Sequence, residues 1–306
     1  MILRHPPGTP SAWKPTVALL LGATSWGILW YPFRIFEAAG LAAPVATLVA
    51  YAVAVALGGL LFRRAWGEFL HHAKWLLAIG LTAGLTNVAY LVAIMQAEVV
   101  RIVLLFYLAP LWTVPLAQVI LKERLTPAGY GVMLLAMAGA VVTLWRPELG
   151  VPLPRNVYEW LGLCAGFTFA LCNVLVKGAA QVSPEAKSLS GCVGVLLVAL
   201  PVAMLMSPGM QQWPGLIAPH LLLLSVVGTV LISTSVALQF GLSHLTANRA
   251  AVILLFELIV AATAAHYLAG ETTRTLDWIG GAMIASAGFF ATLAERLRET
   301  QRKVGQ

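Results

Sequence analysis

From Thr16 onward the chain reads as long apolar runs separated by short polar punctuation. A helix needs roughly 20 mainly apolar residues to cross a bilayer. Ten runs meet that length: roughly 16–36, 42–62, 74–95, 99–121, 127–145, 157–177, 187–206, 217–241, 248–268 and 277–294. The interruptions are brief: RRAWGEFLHHAK after the second run, KERLT after the fourth, RPELGVPLPRN after the fifth and SPGMQQWPG after the seventh. The pattern predicts an all-α integral membrane protein of ten transmembrane helices. The proline-dense RPELGVPLPRN divides it into halves 1–150 and 151–306, the second ending in the short basic tail ERLRETQRKVGQ.

Composition agrees. Of 306 residues 60% are apolar and 10% charged, where a soluble domain carries roughly 25% charged residues. A chain of this length has room for a large soluble core, but a soluble surface needs more charge than this. The net charge of +7 in a soluble protein would suggest nucleic acid. Here no basic run stands apart from the membrane segments except the tail, so nucleic acid is not expected and the charge reads as topology. With the N-terminus inside, fourteen Lys and Arg fall in inside segments and three (Arg146, Arg155, Arg274) outside. The positive-inside rule then puts both termini in the cytoplasm. The N-terminal MILRHPPGTPSAWKPT is broken by prolines before any apolar core forms, so the first span is expected to be its own membrane signal. Cys164, Cys172 and Cys192 lie in apolar runs without CxxC spacing and read as small buried residues.

The chain also repeats itself. A shift of 148 lays TNVAYLVAIMQAEVVR (86–101) on TSVALQFGLSHLTANR (234–249), matching Thr86, Val88, Ala89 and Arg101 with Thr234, Val236, Ala237 and Arg249. The same shift lays Glu123 on Glu271, and one inserted residue later Gly131 and Gly139 fall on Gly280 and Gly288. The charged matches weigh most, because charges are scarce. Five spans per half is an odd number, so the halves enter the membrane from opposite sides. Two inverted five-helix repeats are an architecture of secondary transporters.

At LLGATSWGILWYPFR, LAPLWTVPLAQVILKERLTPAGYGVMLLAMAGA and LLFELIVAATAAHYLAGE…IGGAMIASAGF the sequence resembles the EamA-type branch of the drug/metabolite transporter superfamily, over essentially its whole length. In that pattern a Pro precedes a Glu and a Gly-rich helix, as Pro110 and Glu123 do. The second half has Glu257 and Glu271, but Leu258 stands where Pro is usual, and a straighter ninth span is expected. The resemblance implies a central cavity between the repeats and, often, export of small metabolites. It also implies a bacterial cytoplasmic membrane as location and a Glu at the position of Glu257 across members with different substrates.

Glu257 is the first candidate for chemistry. It sits in AVILLFELIVAATAAHYLAG with no Lys or Arg within one helical turn, and intramembrane ionisable residues are functional candidates. It reads either as a site for a proton or a substrate amine, or as a structural carboxyl at a kink. Arg101 and Arg249 are related by the repeat and read as gate charges or as helix-end arginines snorkelling to the interface. Arg34 reads the same way, and Glu98 could pair with Arg101 one turn away. Aromatic residues that could line a cavity for a cationic or aromatic ligand are Trp26, Trp30, Tyr90, Tyr107 and Trp112. Asn87, Asn173 and Gln239 lie deep in spans as cavity lining or as polar links between helices. Gly131, Gly139, Gly280, Gly281 and Gly288 are expected to permit close packing. Trp145, Trp160 and Trp278 fall at span ends, as belt residues do.

These features favour a secondary transporter of small metabolites, such as amino acids or related amphipathic amines, acting as an exporter with possible proton coupling. A lipid or drug flippase or channel of the same fold is the alternative. An intramembrane transferase would hold Mg²⁺ with clustered aspartates, and the chain has one aspartate, Asp277. No GxxxxGK[ST] loop is present for an ATP-driven pump. No metal or cofactor is expected. The expected partners are a small-molecule substrate and the lipid bilayer, and the chain is expected to act as a monomer or homodimer.

Overall fold

A computed structural model describes residues 13–145, 153–207, 209–269 and 274–304. Glu271 and most of the link between the halves lie outside the described residues. Among those described there is helix and no strand. In the first half α1 (Trp13–Ala38), α2 (Ala43–Leu61), the short α3 (Ala65–His71) and α4 (Ala73–Gln96) lead to a fourth span built in pieces. These are α5 (Val99–Phe106), α6 (Ala109–Leu116) and a π-helical turn, Ala117–Leu121. The fifth span is α7 (Pro127–Leu144). The second half runs α8 (Val157–Gly178), α9 (Pro184–Met206), the short α10 (Trp213–Ile217) and α11 (Leu221–His244). Its ninth span is α12 (Ala247–Leu254) plus α13 (Phe256–Ala269), and α14 (Thr275–Val304) is the tenth. The segment RRAWGEFLHHAK, a connection by its sequence, is mostly α3.

Local chemistry sets the ends. Asn156 Oδ1 accepts from the Tyr158 and Glu159 amides at 3.0 and 2.9 Å and starts α8. Thr126 Oγ1 and Ser183 Oγ do the same for α7 and α9, each followed by a proline in the first turn. Leu77, Val119, Leu205 and Leu222 are 72%, 78%, 82% and 80% exposed, which is the surface expected against lipid rather than water. Trp145, Trp160 and Trp278 are also exposed, as belt residues should be.

Packing repeats the inverted symmetry. Helix α4 lies against α8 and α9, and its counterpart α11 lies against α1 and α2. Helix α6 packs on α8 as α13 packs on α1, and α7 pairs with α14 across the pseudo-axis. The result is an all-α membrane protein of two inverted five-helix repeats. Close crossings rest on glycine: a Cβ at Gly84 of α4 would stand 2.5 Å from the Gly194 carbonyl oxygen of α9. Gly139 and Gly280 meet likewise between α7 and α14. Gly131 and Gly288 do not fit that expectation: a Cβ at either would meet nothing within 4 Å, because the two helices make their close crossing at the other end. Gly281 has room for ordinary contact only. The three cysteines are free thiols, and Cys164 is exposed rather than buried, on the outer side of α8.

Two faces can be distinguished by contacts. On the basal face, where α1 begins, Glu123 Oε2 accepts from the Ala247 amide at 3.0 Å. On the opposite, distal face Arg274 Nη2 donates to the Thr143 carbonyl at 2.7 Å and to Asp277 Oδ1 at 2.9 Å.

Candidate functional site

The fourth span is interrupted at Tyr107 and Leu108, just before Pro110. Proline has no amide hydrogen, and the turn tightens: the Leu108 amide bonds the Leu105 carbonyl at 3.3 Å and the Leu111 amide bonds that of Leu108 at 2.9 Å. The repeat shift carries Tyr107 onto Leu255, and there the ninth span is interrupted too. The Leu258 amide bonds the Leu255 carbonyl at 3.1 Å. This corrects the expectation that Leu in place of Pro would straighten the span. The break here forms without a proline, in a closely packed setting. Leu255 and Leu258 are buried among Met133, Met137 and Ile284 of the fifth and tenth spans. At each break a glycine from the other repeat permits a close approach of the backbone: a Cβ at Gly166 would lie 2.6 Å from the Phe106 carbonyl oxygen, and one at Gly27 would lie 2.9 Å from that of Glu257.

Glu257 lies in the first turn of α13, ten residues beyond Ala247 and so roughly 15 Å into the span. Its carboxyl interacts with the side chain of Tyr107, across from it on the fourth-span break, and Tyr90 of α4 stands beside Tyr107. Phe106 joins them, with ring centroids 4.7 Å from Tyr90, 5.3 Å from Tyr107 and 5.3 Å from Phe169. Glu257, Tyr107 and Tyr90 are each half-buried. The three side chains meet at mid-depth, where the fourth and ninth spans and α4 come together. The counterpart of Glu257 in the first repeat is Ala109, which is buried.

The remaining candidates divide. Asn87 accepts from the Tyr51 hydroxyl at 3.2 Å and donates to the Ala83 carbonyl at 3.1 Å, so it ties α2 to α4. Asn173 is buried in α8. Gln239 of α11 keeps a buried Oε1 that finds no hydrogen-bond partner among the described residues. Trp26 packs into the apolar cluster of α1, α2, α9 and α11 around Phe36 and Tyr51. Trp30 stands edge-on to Tyr31 at 5.7 Å, and Trp112 edge-on to Phe167 at 5.5 Å, both rings of the latter pair exposed. The structure therefore gathers Glu257, Tyr90 and Tyr107, while Asn87 and Trp26 serve packing.

The arginines separate too. Arg34 is exposed, as a snorkelling arginine is. Arg101 and Arg249 are buried, at 5% and 6% exposure, so neither is a mere surface anchor. Arg101, for which Glu98 was the local candidate, forks onto Glu159 of α8: Nε to Oε1 at 3.0 Å and Nη2 to Oε2 at 2.8 Å. Nη2 also reaches the Leu153 carbonyl at 2.8 Å. Glu159 accepts further from the Arg155 amide at 2.9 Å. A buried bidentate pair so fully hydrogen-bonded joins the two halves at the distal face. Arg249 Nη2 donates to Thr16 Oγ1 of α1 at 2.9 Å, joining the halves at the basal face. Glu159 was not singled out from sequence, although NVYE has the spacing of a capping box and marks a Glu held at a helix start. Lys187, fully buried, was also overlooked: it donates to Ser243 Oγ at 2.7 Å, and Lys177 donates to the Ser243 carbonyl at 3.1 Å, so two cations finish α11.

Comparison with known proteins agrees with this architecture. The model of the EamA-like transporter family matches twice, over residues 13–145 and 156–293. An uncharacterized transporter of Archaeoglobus fulgidus is 27% identical over 219 residues, covering 71% of this chain and 76% of that protein. A crystal structure of another protein superposes with a TM-score of 0.68 over 92% of this chain and 99% of its own, at 20% identity, a likeness that speaks for the fold alone. With both halves matched, the chain is a multi-pass membrane transporter and belongs to the EamA-like transporter family.

Proposed function

We propose that this transporter moves a small amphipathic metabolite, an amino acid or a related amine, outward across a bacterial cytoplasmic membrane by alternating access, with Glu257 as the coupling group. The observation that supports the reading is that Glu257 and Tyr107, each at one of the two repeat-related breaks, meet side chain to side chain at mid-depth. Translocon scales set a charge at mid-span at about 2.5–3.5 kcal/mol. A lone carboxylate there is best kept if a proton or a ligand ammonium neutralises it in turn. The rings of Tyr90, Tyr107 and Phe106 supply faces for an ammonium group, and no Lys or Arg is among the described residues that meet Glu257 there.

In this reading residues 1–150 and 151–306 are the two moving repeats, the basal face is cytoplasmic, and both termini lie there. The Arg101–Glu159 pair holds the distal end closed, and Arg249 with Thr16 acts at the basal end. The protein works as a monomer or homodimer.

The test is solute flux in proteoliposomes, against a panel of amino acids, amines and sugar phosphates, with and without a pH gradient. Glu257→Gln keeps size and hydrogen bonding but cannot release a proton. It should still exchange substrate while losing pH-driven accumulation. A folded Gln variant with unchanged pH-driven transport would retire the proposal. A preference for sugar phosphates over amines would overturn the substrate class.

A further inference from the structure

The fourth span ends in an unusual way. After the π-helical turn Ala117–Leu121, Lys122 takes the left-handed conformation, φ 57° and ψ 23°, the sole positive φ of a non-glycine among the described residues. The Glu123 amide then bonds the Ala117 carbonyl at 3.1 Å, closing the helix in a wide turn. Such C-terminal turns normally take Gly, because a Cβ is disfavoured there. A π-turn and a strained residue in succession are features that cluster at functional sites. Here the strained position bears a cation.

A cleft of about 480 Å³ opens at this turn, lined by Gln118, Lys122, Arg124, Leu125 and Tyr130. Its lining holds two cations and no carboxylate. The neighbouring Glu123 is turned away to the Ala247 amide. Among the described residues the side chains of Lys122 and Arg124 have no hydrogen-bond or ion-pair partner. Gln118 Nε2 donates to the Tyr130 hydroxyl at 3.3 Å, bracing one wall. Beside the cleft the surface is apolar and outward: Val119 is 78% exposed and Leu134 65%. The cleft thus sits at the basal ends of the fourth and fifth spans, on the lipid-facing side, where headgroups lie, and not between the halves.

We infer that this cleft binds the phosphate of an anionic phospholipid headgroup, with Lys122 and Arg124 as its cations, Tyr130 as a hydroxyl donor and Val119 and Leu134 against the acyl chains. A phosphate brings the acceptor oxygens that an arginine fork and an ammonium satisfy, and basic residues at the headgroup level attract anionic lipid. A bound lipid would also brace the turn that holds Glu123 on the first turn of α12.

The test measures binding rather than transport. The full chain in neutral detergent is titrated with phosphatidylglycerol, phosphatidylcholine or inorganic phosphate, and bound lipid is counted by native mass spectrometry alongside thermal stability. Phosphatidylglycerol should bind at near-stoichiometric amounts and raise the melting temperature, and phosphatidylcholine should do so far less. Inorganic phosphate at millimolar concentration should do neither. Lys122→Gln with Arg124→Gln should raise the half-saturating amount of phosphatidylglycerol roughly tenfold or more. Arg63→Gln with Arg64→Gln, which removes two basal cations elsewhere, should leave it unchanged. Lys122→Gly is a second variant: it suits the left-handed backbone, should fold at least as well, and should still weaken the lipid. Equal binding by the Lys122/Arg124 variant, equal loss in the Arg63/Arg64 variant, or the whole effect reproduced by inorganic phosphate would each overturn the assignment.

Discussion

The fourth and ninth spans are the same element twice, and they differ where it matters. Each has a first segment, α5 or α12, whose buried arginine reaches the start of the other half's first span: Arg101 to Glu159 on α8, Arg249 to Thr16 on α1. Each then breaks at the same repeat position, Tyr107 or Leu255. One break precedes a proline and carries a tyrosine. The other has no proline and carries a glutamate two residues on. Backbone geometry is therefore common to both repeats, while the carboxyl stands in one of them. A shared scaffold does not require shared chemistry: Ala109 stands in the first repeat where Glu257 stands in the second.

The largest effect should come from the distal anchor. Glu159→Leu leaves Arg101 buried without its fork, which should cost about 3–5 kcal/mol in reversible unfolding of the protein in mixed micelles. Replacing both, Arg101→Leu with Glu159→Leu, should recover most of that loss, because an apolar pair of similar volume does not bury a lone charge. If the single and double variants lost equally, the pair would not be acting as a unit.

The glycines at the breaks come next. Gly166→Val and Gly27→Val push a side chain into the Phe106 and Glu257 carbonyls, and overpacking of this kind costs about 1–3 kcal/mol. Gly27→Val should also displace the first turn of α13, so substrate binding should suffer more in it than in Gly166→Val. Equal binding by both variants would argue that the two breaks are functionally equivalent. At the basal anchor, Thr16→Ala removes a hydrogen bond to a charged donor and should cost about 1.5 kcal/mol, less than the loss of Glu159. A larger loss at Thr16 would reverse the order of the two anchors.

How much of this was readable beforehand follows from what kind of signal each feature leaves. Spans leave a length signal: each of the ten runs falls on helix, although the fourth and ninth are broken into pieces, α3 fills a segment that reads as a connection, and the basic tail prolongs α14. The repeat left a signal in Arg101 and Arg249, because charges are rare enough in this chain for their spacing to mean something. The break at Leu255 left none. Neither Pro nor Gly stands there, and the residues packed around it, Gly27, Met133 and Ile284, come from other spans. Helices apolar all round give no face to read, so nothing in the sequence told Tyr107, which meets Glu257, from Trp112, which pairs with Phe167 at the exposed surface. Asn87 was equally ambiguous until Tyr51 was seen to hold it.

The smallest predicted effect tests the comparison most directly. If proline made the break in the fourth span, Pro110→Ala should close it. The ninth span shows the same break with Leu258 in the corresponding place, its amide present and bonded to Leu255 rather than one residue further back. Pro110 itself occupies the first turn of α6, where a helix has no use for the missing amide. Restoring that amide should therefore let the substituted residue copy the Leu258 bond, with the backbone still turned by Gly166 against Phe106. Pro110→Ala should lose less than about 1 kcal/mol, the scale of a proline's effect on the unfolded chain at a compatible site. It should transport at close to the parent rate, because Tyr107 stays opposite Glu257. The measurement is paired unfolding and flux on Pro110→Ala and Gly166→Val. A severe loss in the first with none in the second would mean that the proline, and not the packing of the two repeats, shapes the fourth span.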